Sequence, residues 1–590
     1  MVTRLQGWRV RTRRLWETLI ERVAFHDWDE GAVLLAFGLA IGAAVGLGVV
    51  VFYRLIDLAY YAFAILPARR LDLLGNVLYR PLLTAAGLWC AWAVVRRTHT
   101  PDGQNVADVQ LAVAKRGGRL SLRPIAVRTL SSALTLGSGG SAGSEGPVAV
   151  LGAGLGSWLG RLFRFQTRHL KILVGCGAAA GISGAFSAPF AGAFFALEEV
   201  LGSFSVGAFS PVVVASVVGS LTVRAFLGEE PVIRVAAYAG VRSWDVLLLY
   251  PLLGIGCGAV SALYTRLFFR TTDFFATLRG PHWLRPVLGG LVVGLLALTA
   301  VSVLTGDGHL RIPMDQLSRL PWYFLLGITA AKIGMTTVTL GAGGSGGVFT
   351  PTLFIGATLG TGLGATLRAL VPGSTIDPVT WGLVGMAGLV AGATRAPITA
   401  IFIVFEITDD YGLVLPLMLV SVLAYLSSRH MAPYGLYDGW LERRGEHLAH
   451  GADRALMERI QVHQAVDERA VSVAPDASLA ALVAATGRAR MHSLPVVDED
   501  DTLIGVINYP DLRDAMLDRG DLAGVLVAMD LAEPSETASP DQPLRDALRM
   551  MNARARDALP VVDPATNRYV GMLSRADLLA AYERELLEEV

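Results

Sequence analysis

Two glycine-rich segments, about two hundred residues apart, have the composition of an anion-binding loop. The first is GSGGSAGSEGPVAVLGAGLG at 137–156, and the second is GAGGSGGVFTPTLFIGATLG at 341–360. Glycine lets the backbone approach a ligand closely, and the proline that both copies share in register suits the first turn of a helix. Each copy is therefore predicted to be a loop that leads into a helix N-terminus. Unpaired N–H groups and the positive end of the helix dipole favour an anion there.

One difference between the copies carries the chemistry, because Glu145 in the first copy stands where the second has Phe349. A structural interpretation of the repeat is also open, since glycine-rich segments in membrane proteins often serve close helix packing. Paired, interrupted segments in the two halves of a chain are instead typical of a transporter binding site. Two matched copies inside apolar sequence favour the second interpretation.

The composition is that of a membrane protein. The 590 residues are 53% hydrophobic and 17% charged, and the mean hydropathy is +0.50. The formal net charge is zero, which gives no overall basic surface for a nucleic-acid partner. Cys90, Cys176 and Cys257 lie in apolar sequence without CxxC spacing, so neither a disulfide nor a metal site is predicted.

The membrane domain is predicted to span 31–440, after a basic segment at 1–30 that indicates a cytoplasmic N-terminus. It is interpreted as a duplication with halves at about 31–227 and 245–440. Several apolar stretches are too short, or too broken by Gly and Pro, for a plain span of about twenty residues. Broken helices are tolerated at membrane depth where they are buried in protein or line a polar cavity. If each half has an odd number of spans, the halves are inverted and both chain ends lie on one side.

Acidic residues mark the ends of a second matched motif. SAPFAGAF in the first half leads to Glu198, and RAPITAIF in the second leads to Glu406. In this register Glu199 faces Ile407, so Glu199 is an acid that only the first half has.

The chain becomes charged after the membrane domain, and a small cytoplasmic α/β domain is predicted. A linker is assigned to 441–465, and two copies of one unit to about 466–520 and 530–590. Each copy contains LPVVD and is predicted to form a strand, a turn, a second strand and a helix.

With these motifs in order, the chain resembles the CLC family of chloride channels and anion/proton exchangers, followed by a pair of CBS domains. The motifs are GSEGP at 143–147, GVFTP at 347–351, EITDDY at 406–411 and Tyr437 near the end of the membrane domain. The resemblance implies a polytopic α-helical membrane protein with an inverted-repeat fold and broken helices. It also implies a homodimer in the lipid bilayer, with one anion pathway per subunit.

The resemblance assigns roles to individual residues. Glu145 would be the external gate, because a carboxylate held by helix-end N–H groups mimics an anion. The backbone around Gly146, Val348 and Phe349 would bind the anion, and the Phe349 ring and the Tyr437 hydroxyl would close its inner side. The alternatives are a helix-capping carboxylate for Glu145 and an interfacial aromatic residue for Tyr437.

Glu199 would be the internal proton-transfer acid. An ionisable group within apolar membrane sequence is functional by default. Of the two adjacent acids, Glu198 is expected to have the structural role.

The sequence departs from the family pattern at two places. Where the family has G-S-G-I-P, this chain has GQNVA at 103–107, so Gln104 and Asn105 take the place of the hydroxyl donor. Ser144 stands where the family usually has Arg or Lys. Both departures leave open whether the preferred anion is chloride or a relative such as nitrate.

The CBS pair implies regulatory binding of ATP, ADP or AMP, with no cofactor required. Asp577 would contact the ribose hydroxyls and Ser574 a phosphate. Asp511 is the matching residue of the first copy, where Asn508 replaces the Ser or Thr of the pattern. A CBS pair that only mediates dimer contacts is the alternative.

The leading functional interpretation is therefore secondary anion/proton antiport in a bacterial inner membrane, by a multi-pass protein with both termini cytoplasmic. No enzymatic activity is expected of it. A passive voltage- or pH-gated chloride channel is the first alternative, although a channel has no need of an inner proton acid. A CBS-regulated divalent-cation channel is more distant, because it would need clustered carboxylates as oxygen ligands.

Overall fold

The computed structural model describes residues 30–70, 79–99, 105–228, 233–234, 240, 244–298, 312–372, 374–446, 457–487, 493–517, 526–554 and 556–589. The chain divides into two compact units, 1–448 and 449–590. The predicted basic segment lies outside the described residues except for Glu30, and so does the predicted anion ligand Gln104.

The first half of the larger unit is helical throughout its described length. Its helices are α1 (Glu30–Tyr60), α2 (Arg80–Arg97), α3 (Val106–Lys115), α4 (Leu122–Gly137), α5 (Glu145–Leu162), α6 (Thr167–Phe186), α7 (Pro189–Phe195) and α8 (Val206–Leu227). A π-helical turn at Ala196–Leu201 continues α7 and carries the two adjacent acids.

The second half repeats this order. Its helices are α9 (Tyr250–Thr277), α10 (Leu284–Ala297), α11 (Trp322–Gly341), α12 (Phe349–Leu370), α13 (Pro378–Thr394), α14 (Pro397–Thr408), α15 (Val414–Met431) and α16 (Leu436–Glu442). Two short strands, β1 (Ile233–Arg234) and β2 (Ile312–Pro313), form a parallel pair.

The helices have the lengths expected of a polytopic membrane protein. Within the described residues, seven helical segments are long and apolar enough to cross a membrane, and α10, α13 and α14 are apolar but shorter. The predicted interruption by Gly and Pro is visible at α7 and α14, because each begins at a proline and spans only a few turns. The predicted fold class is confirmed by these features together with the similar structures described below.

Both halves pack by the same scheme. The first long helix of each half lies against the last long one, α1 on α8 and α9 on α15, while α5 pairs with α6 and α12 with α13. Glycine makes the closest pairs possible. A Cβ at Gly177 would collide with the carbonyl of Gly152, and one at Gly385 would collide with that of Gly356. Small residues therefore let these helices touch along their backbones.

The two glycine-rich loops meet at the centre of the larger unit. The Gly143 amide donates to the Gly347 carbonyl at 2.7 Å, and the Gly347 amide returns the bond to the Gly143 carbonyl at 2.7 Å. These are equivalent positions of the repeat, so a two-fold rotation relates the halves locally at this bridge.

Hydroxyl groups beside the bridge follow the same symmetry. The Ser345 amide donates to Thr135 Oγ1, and the Ser141 amide donates to Thr339 Oγ1, both at 3.1 Å. All four side chains are buried, so the bonds satisfy backbone groups that water does not reach.

The smaller unit contains the two predicted copies. The first has α17 (Leu479–Thr486), β3 (Ser493–Val497), β4 (Leu503–Asn508) and α18 (Tyr509–Leu517). The second has α19 (Leu544–Ala553), β5 (Ala558–Val562), β6 (Tyr569–Ser574) and α20 (Arg575–Glu589). β3 pairs with β4, and β5 with β6, both antiparallel.

The predicted linker differs from the structure at its C-terminal end. Ile460 and Val462, which fall in the predicted linker 441–465, are buried in the core of the second copy. The Val462 amide also donates to the Gln542 carbonyl at 2.9 Å. A short apolar segment that completes a neighbouring core gives no repeat signal of its own, because its partners lie about eighty residues away.

Candidate functional site

The carboxylate of Glu145 lies at the start of α12, across the two-fold bridge from its own helix. Glu145 is the first residue of α5 and is only 1% exposed. Its Oε1 accepts a hydrogen bond from the Phe349 amide at 2.7 Å, and its Oε2 accepts one from Thr350 Oγ1 at 2.7 Å. A side-chain carboxylate of the first half therefore occupies the helix N-terminus of the second, where backbone N–H groups favour negative charge.

A cavity of about 780 Å³ lies next to this site: neither Glu145 nor Phe349 lines it, but Gly347, whose backbone lies against the Glu145 carboxylate, is part of its wall. Four of the residues predicted to bind an anion line it, namely Asn105, Gly146, Val348 and Tyr437. Its wall also carries basic side chains: Arg96, His99, Arg128, His282 and Arg285. Among the described residues that line the cavity there is no carboxylate. A concave wall with one sign of charge raises the local concentration of small anions.

The Phe349 ring is fixed by aromatic residues of the first half. It is 1% exposed, and its centroid lies 5.8 Å from that of Phe186 and 6.4 Å from that of Phe195. This packing ties the start of α12 to α6 and α7. The amide that binds Glu145 is therefore held in place by contacts from the opposite half.

Tyr437 is carried by the short helix α16, which ion pairs fasten to the surrounding helices. Arg395 lies 3.4 Å from Asp438, and Arg444 lies 2.6 Å from Asp108. Tyr437 itself is 6% exposed and within electrostatic range of both Glu145 and Glu199. The position of its ring on the cavity wall is thus supported by ion pairs to the ends of two other helices, α13 and α3.

Asn105 serves as the N-cap of α3. Its side chain accepts from the Asp108 amide at 3.1 Å, and Asp108 Oδ2 accepts from the Asn105 amide at 3.0 Å. This capping box satisfies two N–H groups of the helix start. Asn105 thus lies on the cavity wall with its side-chain oxygen committed to the cap.

Glu198 and Glu406 each bind the start of a helix in the opposite half. The Glu198 carboxylate accepts from the amides of Ile398 and Thr399 at the start of α14, at 3.0 and 2.7 Å. The Glu406 carboxylate accepts from Phe190 and Ala191 at the start of α7, at 2.9 and 2.7 Å. Each acid therefore caps the helix of the opposite half, as equivalent positions of a two-fold repeat would.

Glu199 takes no part in this reciprocal helix capping. It lies on the π-helical turn after α7, and Gln110 Nε2 donates to both its Oε2 and its carbonyl oxygen at 2.9 Å. The oxygen of the same amide, Gln110 Oε1, is buried and has no hydrogen-bond partner among the described residues. The structure thus places Glu199 beside one amide side chain and an unoccupied acceptor.

The predicted nucleotide residues lie at corresponding helix starts of the two copies in the smaller unit. Ser574 Oγ donates to Asp577 Oδ2 at 2.5 Å where β6 passes into α20. Asn508 Nδ2 donates to Asp511 Oδ2 at 3.2 Å where β4 passes into α18. Asn508 therefore takes the position of Ser574, and each aspartate is paired with the last residue of its strand.

Sequence reasoning missed Thr350, Gln110 and the basic residues of the cavity wall. Thr350 occupies one of the two variable positions of the GVFTP motif, and the motif gave no reason to expect a role for its side chain. Gln110 lies only a few residues after the segment that was compared with the family pattern, and an extension of that comparison could have found it.

The inverted helical halves, the carboxylate held at a helix start and the paired CBS domains together define a CLC-type membrane protein. A family model described as voltage gated chloride channel matches residues 86–429, and a CBS domain model matches 462–518 and 527–584. The chain therefore belongs to the CLC family, and it is a multi-pass membrane protein with a CBS pair.

Two similar bacterial proteins support this assignment. A ClcB-like protein of Ralstonia nicotianae is 37% identical, over 61% of this chain and 84% of that one. An H(+)/Cl(-) exchange transporter ClcA of Yersinia pseudotuberculosis is 31% identical, over 70% of this chain and 87% of that one.

Solved structures share the fold. A slow cyanobacterial Cl-/H+ antiporter has a TM-score of 0.63 at 22% identity, and the match covers 70% of this chain and 97% of that one. A eukaryotic CLC transporter has a TM-score of 0.60 at 20% identity and is matched over 92% of this chain and 97% of its own.

Proposed function

We propose that the protein exchanges a chloride-like inorganic anion for protons across a bacterial inner membrane, as a homodimer with both termini cytoplasmic. The observation that carries the proposal is the position of Glu145. Its carboxylate fills a helix start, bound by Phe349 and Thr350, beside a cavity with a basic wall. Anion and carboxylate then compete for one set of donors. The names of the ClcA relatives support the same exchange.

Competition at this site couples proton uptake to anion binding. The ionised Glu145 carboxylate makes charge-assisted hydrogen bonds to its donors and blocks the site. When Glu145 takes up a proton it loses that charge, and its side chain gives way to an anion. The anion then binds the amide of Phe349 and the backbone near Val348 and Gly146. Glu145 then releases its proton, and the ionised side chain returns to its donors and displaces the anion.

Glu199 is proposed as the inner proton-transfer acid. Glu198 is committed to the start of α14 by two amide bonds, so it takes the structural share of this acidic pair. The remaining acid lies on an interrupted helix, within electrostatic range of Tyr437. Buried ionisable groups within membrane segments mark proton relays. In this scheme protons pass between Glu199 and Glu145, while anions use the cavity next to Tyr437.

A passive anion channel would use the same cavity and the same gate. It differs in needing no proton movement, so Glu199 favours exchange. A divalent-cation channel fits less well, because the wall beside Glu145 carries arginine and histidine rather than oxygen ligands.

The CBS pair is proposed to bind an adenine nucleotide that regulates transport. Support comes from Asp577 and Ser574, which lie together at a helix N-terminus after a strand. A helix start offers N–H groups to a phosphate, and an aspartate can accept from ribose hydroxyls. Asp511 has the corresponding place in the first copy and is the weaker candidate, because Asn508 lacks the hydroxyl.

Flux measurements in proteoliposomes separate these functions. Liposomes loaded with chloride and placed in low chloride are monitored with a chloride electrode and a pH electrode. An exchanger moves protons against their gradient as chloride leaves, whereas a channel moves chloride without protons. A protein with neither flux would overturn the transport proposal.

A further inference from the structure

The Glu145 carboxylate is bound through both of its oxygens by two different donors. The Phe349 amide holds Oε1, and the Thr350 hydroxyl holds Oε2, each at 2.7 Å. The carboxylate stands in for the anion that replaces it during exchange. The two donors are therefore spaced to serve two oxygens on one planar centre.

Thr350 is well placed to keep this geometry. It is the second residue of α12 and is only 3% exposed. Its side chain is β-branched, which restricts rotation about χ1 and holds the direction of the hydroxyl. The neighbouring Phe349 ring is anchored between Phe186 and Phe195, so the amide donor is fixed as well.

In the family pattern, a serine in the first half supplies a hydroxyl to the anion. This chain has no serine at that position, which makes the Thr350 hydroxyl important. The segment GQNVA at 103–107 lacks a serine. Thr350 instead brings a hydroxyl from the second half to the site that Glu145 fills. The donor set of this chain therefore differs in position from the one that the resemblance implied.

We infer that Thr350 is a specificity-determining residue whose hydroxyl, with the Phe349 amide, favours planar singly charged oxyanions such as nitrate over halides. Nitrate, like a carboxylate, presents two oxygens on one centre and can accept from both donors at once. A halide offers a single acceptor centre that both donors must share. This inference rests on the proposed function, because it concerns the anion that exchanges with Glu145.

The test compares Thr350→Val, which keeps the shape and removes the hydroxyl, with Thr350→Ser, which keeps the hydroxyl. The full chain is reconstituted in liposomes loaded with equimolar chloride and nitrate, and the initial efflux of both anions is measured. A hydrogen bond to a charged group is worth about ten-fold or more in affinity. The nitrate-to-chloride flux ratio should fall about ten-fold in Thr350→Val and stay within about two-fold of the parent in Thr350→Ser.

Thr350→Ala serves as a second hydroxyl-free variant if Thr350→Val does not fold, and it should show the same fall. An unchanged ratio in the hydroxyl-free variants, or an equal fall in Thr350→Ser, would overturn the role of the hydroxyl. Failure of the proposed function looks different, because the parent protein would then pass neither anion.

Discussion

Gly143 and Gly347 bind each other through both of their amides, each bond being 2.7 Å long. These two hydrogen bonds join the two halves of the membrane domain directly beside Glu145. A Cβ at Gly143 would collide with the Glu145 carboxylate, and so would one at Gly347. The absence of a side chain at both positions thus leaves room for the carboxylate at the start of α12.

Gly143→Ala should push the Glu145 carboxylate from its donors and weaken closure of the pathway. We expect anion flux at alkaline pH to rise relative to flux at acid pH, because the ionised carboxylate no longer fits. Gly334→Ala is the matched control, since a Cβ there meets nothing within 4 Å. A Gly143→Ala protein with the pH profile of the control would contradict this role of the bridge.

Substitutions of the adjacent acids Glu198 and Glu199 should affect different properties: the first should affect stability, and the second should affect proton coupling. Glu198→Ala leaves two amides of α14 without an acceptor, and an unsatisfied buried donor costs about 1–3 kcal/mol. It should lower the thermal unfolding temperature yet retain proton movement. Glu199→Gln should keep both stability and anion flux but abolish proton movement. Intact proton movement in Glu199→Gln would remove this acid from the mechanism.

The sequence predicted the loops around Glu145 because Gly and Pro act locally on the backbone. It also placed Glu198 opposite Glu406, since the register of a repeat fixes equivalent positions. Thr350 was beyond reach, because its bond to Glu145 joins residues 205 positions apart and depends on how the halves meet. The basic residues of the cavity wall could not be predicted for the same reason, because they come from separate helices, although four predicted residues do line the cavity.

Gln110 should control proton transfer through the orientation of Glu199. Gln110→Leu removes the amide that donates to Glu199 Oε2, while retaining a side chain of similar size. We expect anion flux to change by less than about two-fold, and the proton-to-anion ratio to fall several-fold, since an ionised acid without a donor is poorly stabilised. Simultaneous chloride and pH recordings measure both. An unchanged ratio would show that Gln110 only fills space.

Asp577 should carry most of the nucleotide affinity of the CBS pair. Loss of one hydrogen bond to a buried polar partner costs about 1–3 kcal/mol, so Asp577→Ala should weaken binding about ten-fold. Asp511→Ala is the internal comparison and should have the smaller effect. Calorimetry of the full chain with ATP, ADP and AMP measures both. Absence of binding to the parent protein would favour a CBS pair that serves only dimer contacts.

The most direct test of the account is proton-coupled flux in Glu145→Gln. Glutamine keeps the shape of the side chain but cannot ionise, so it neither competes as an anion nor carries a proton. With chloride and pH electrodes on the same proteoliposomes, chloride efflux should persist, lose most of its pH dependence and move no protons. The parent protein should instead be activated as pH falls and should move protons with chloride. If Glu145→Gln remained as pH-sensitive and as tightly coupled as the parent, Glu145 would be only a helix-capping residue and the exchange mechanism would be wrong.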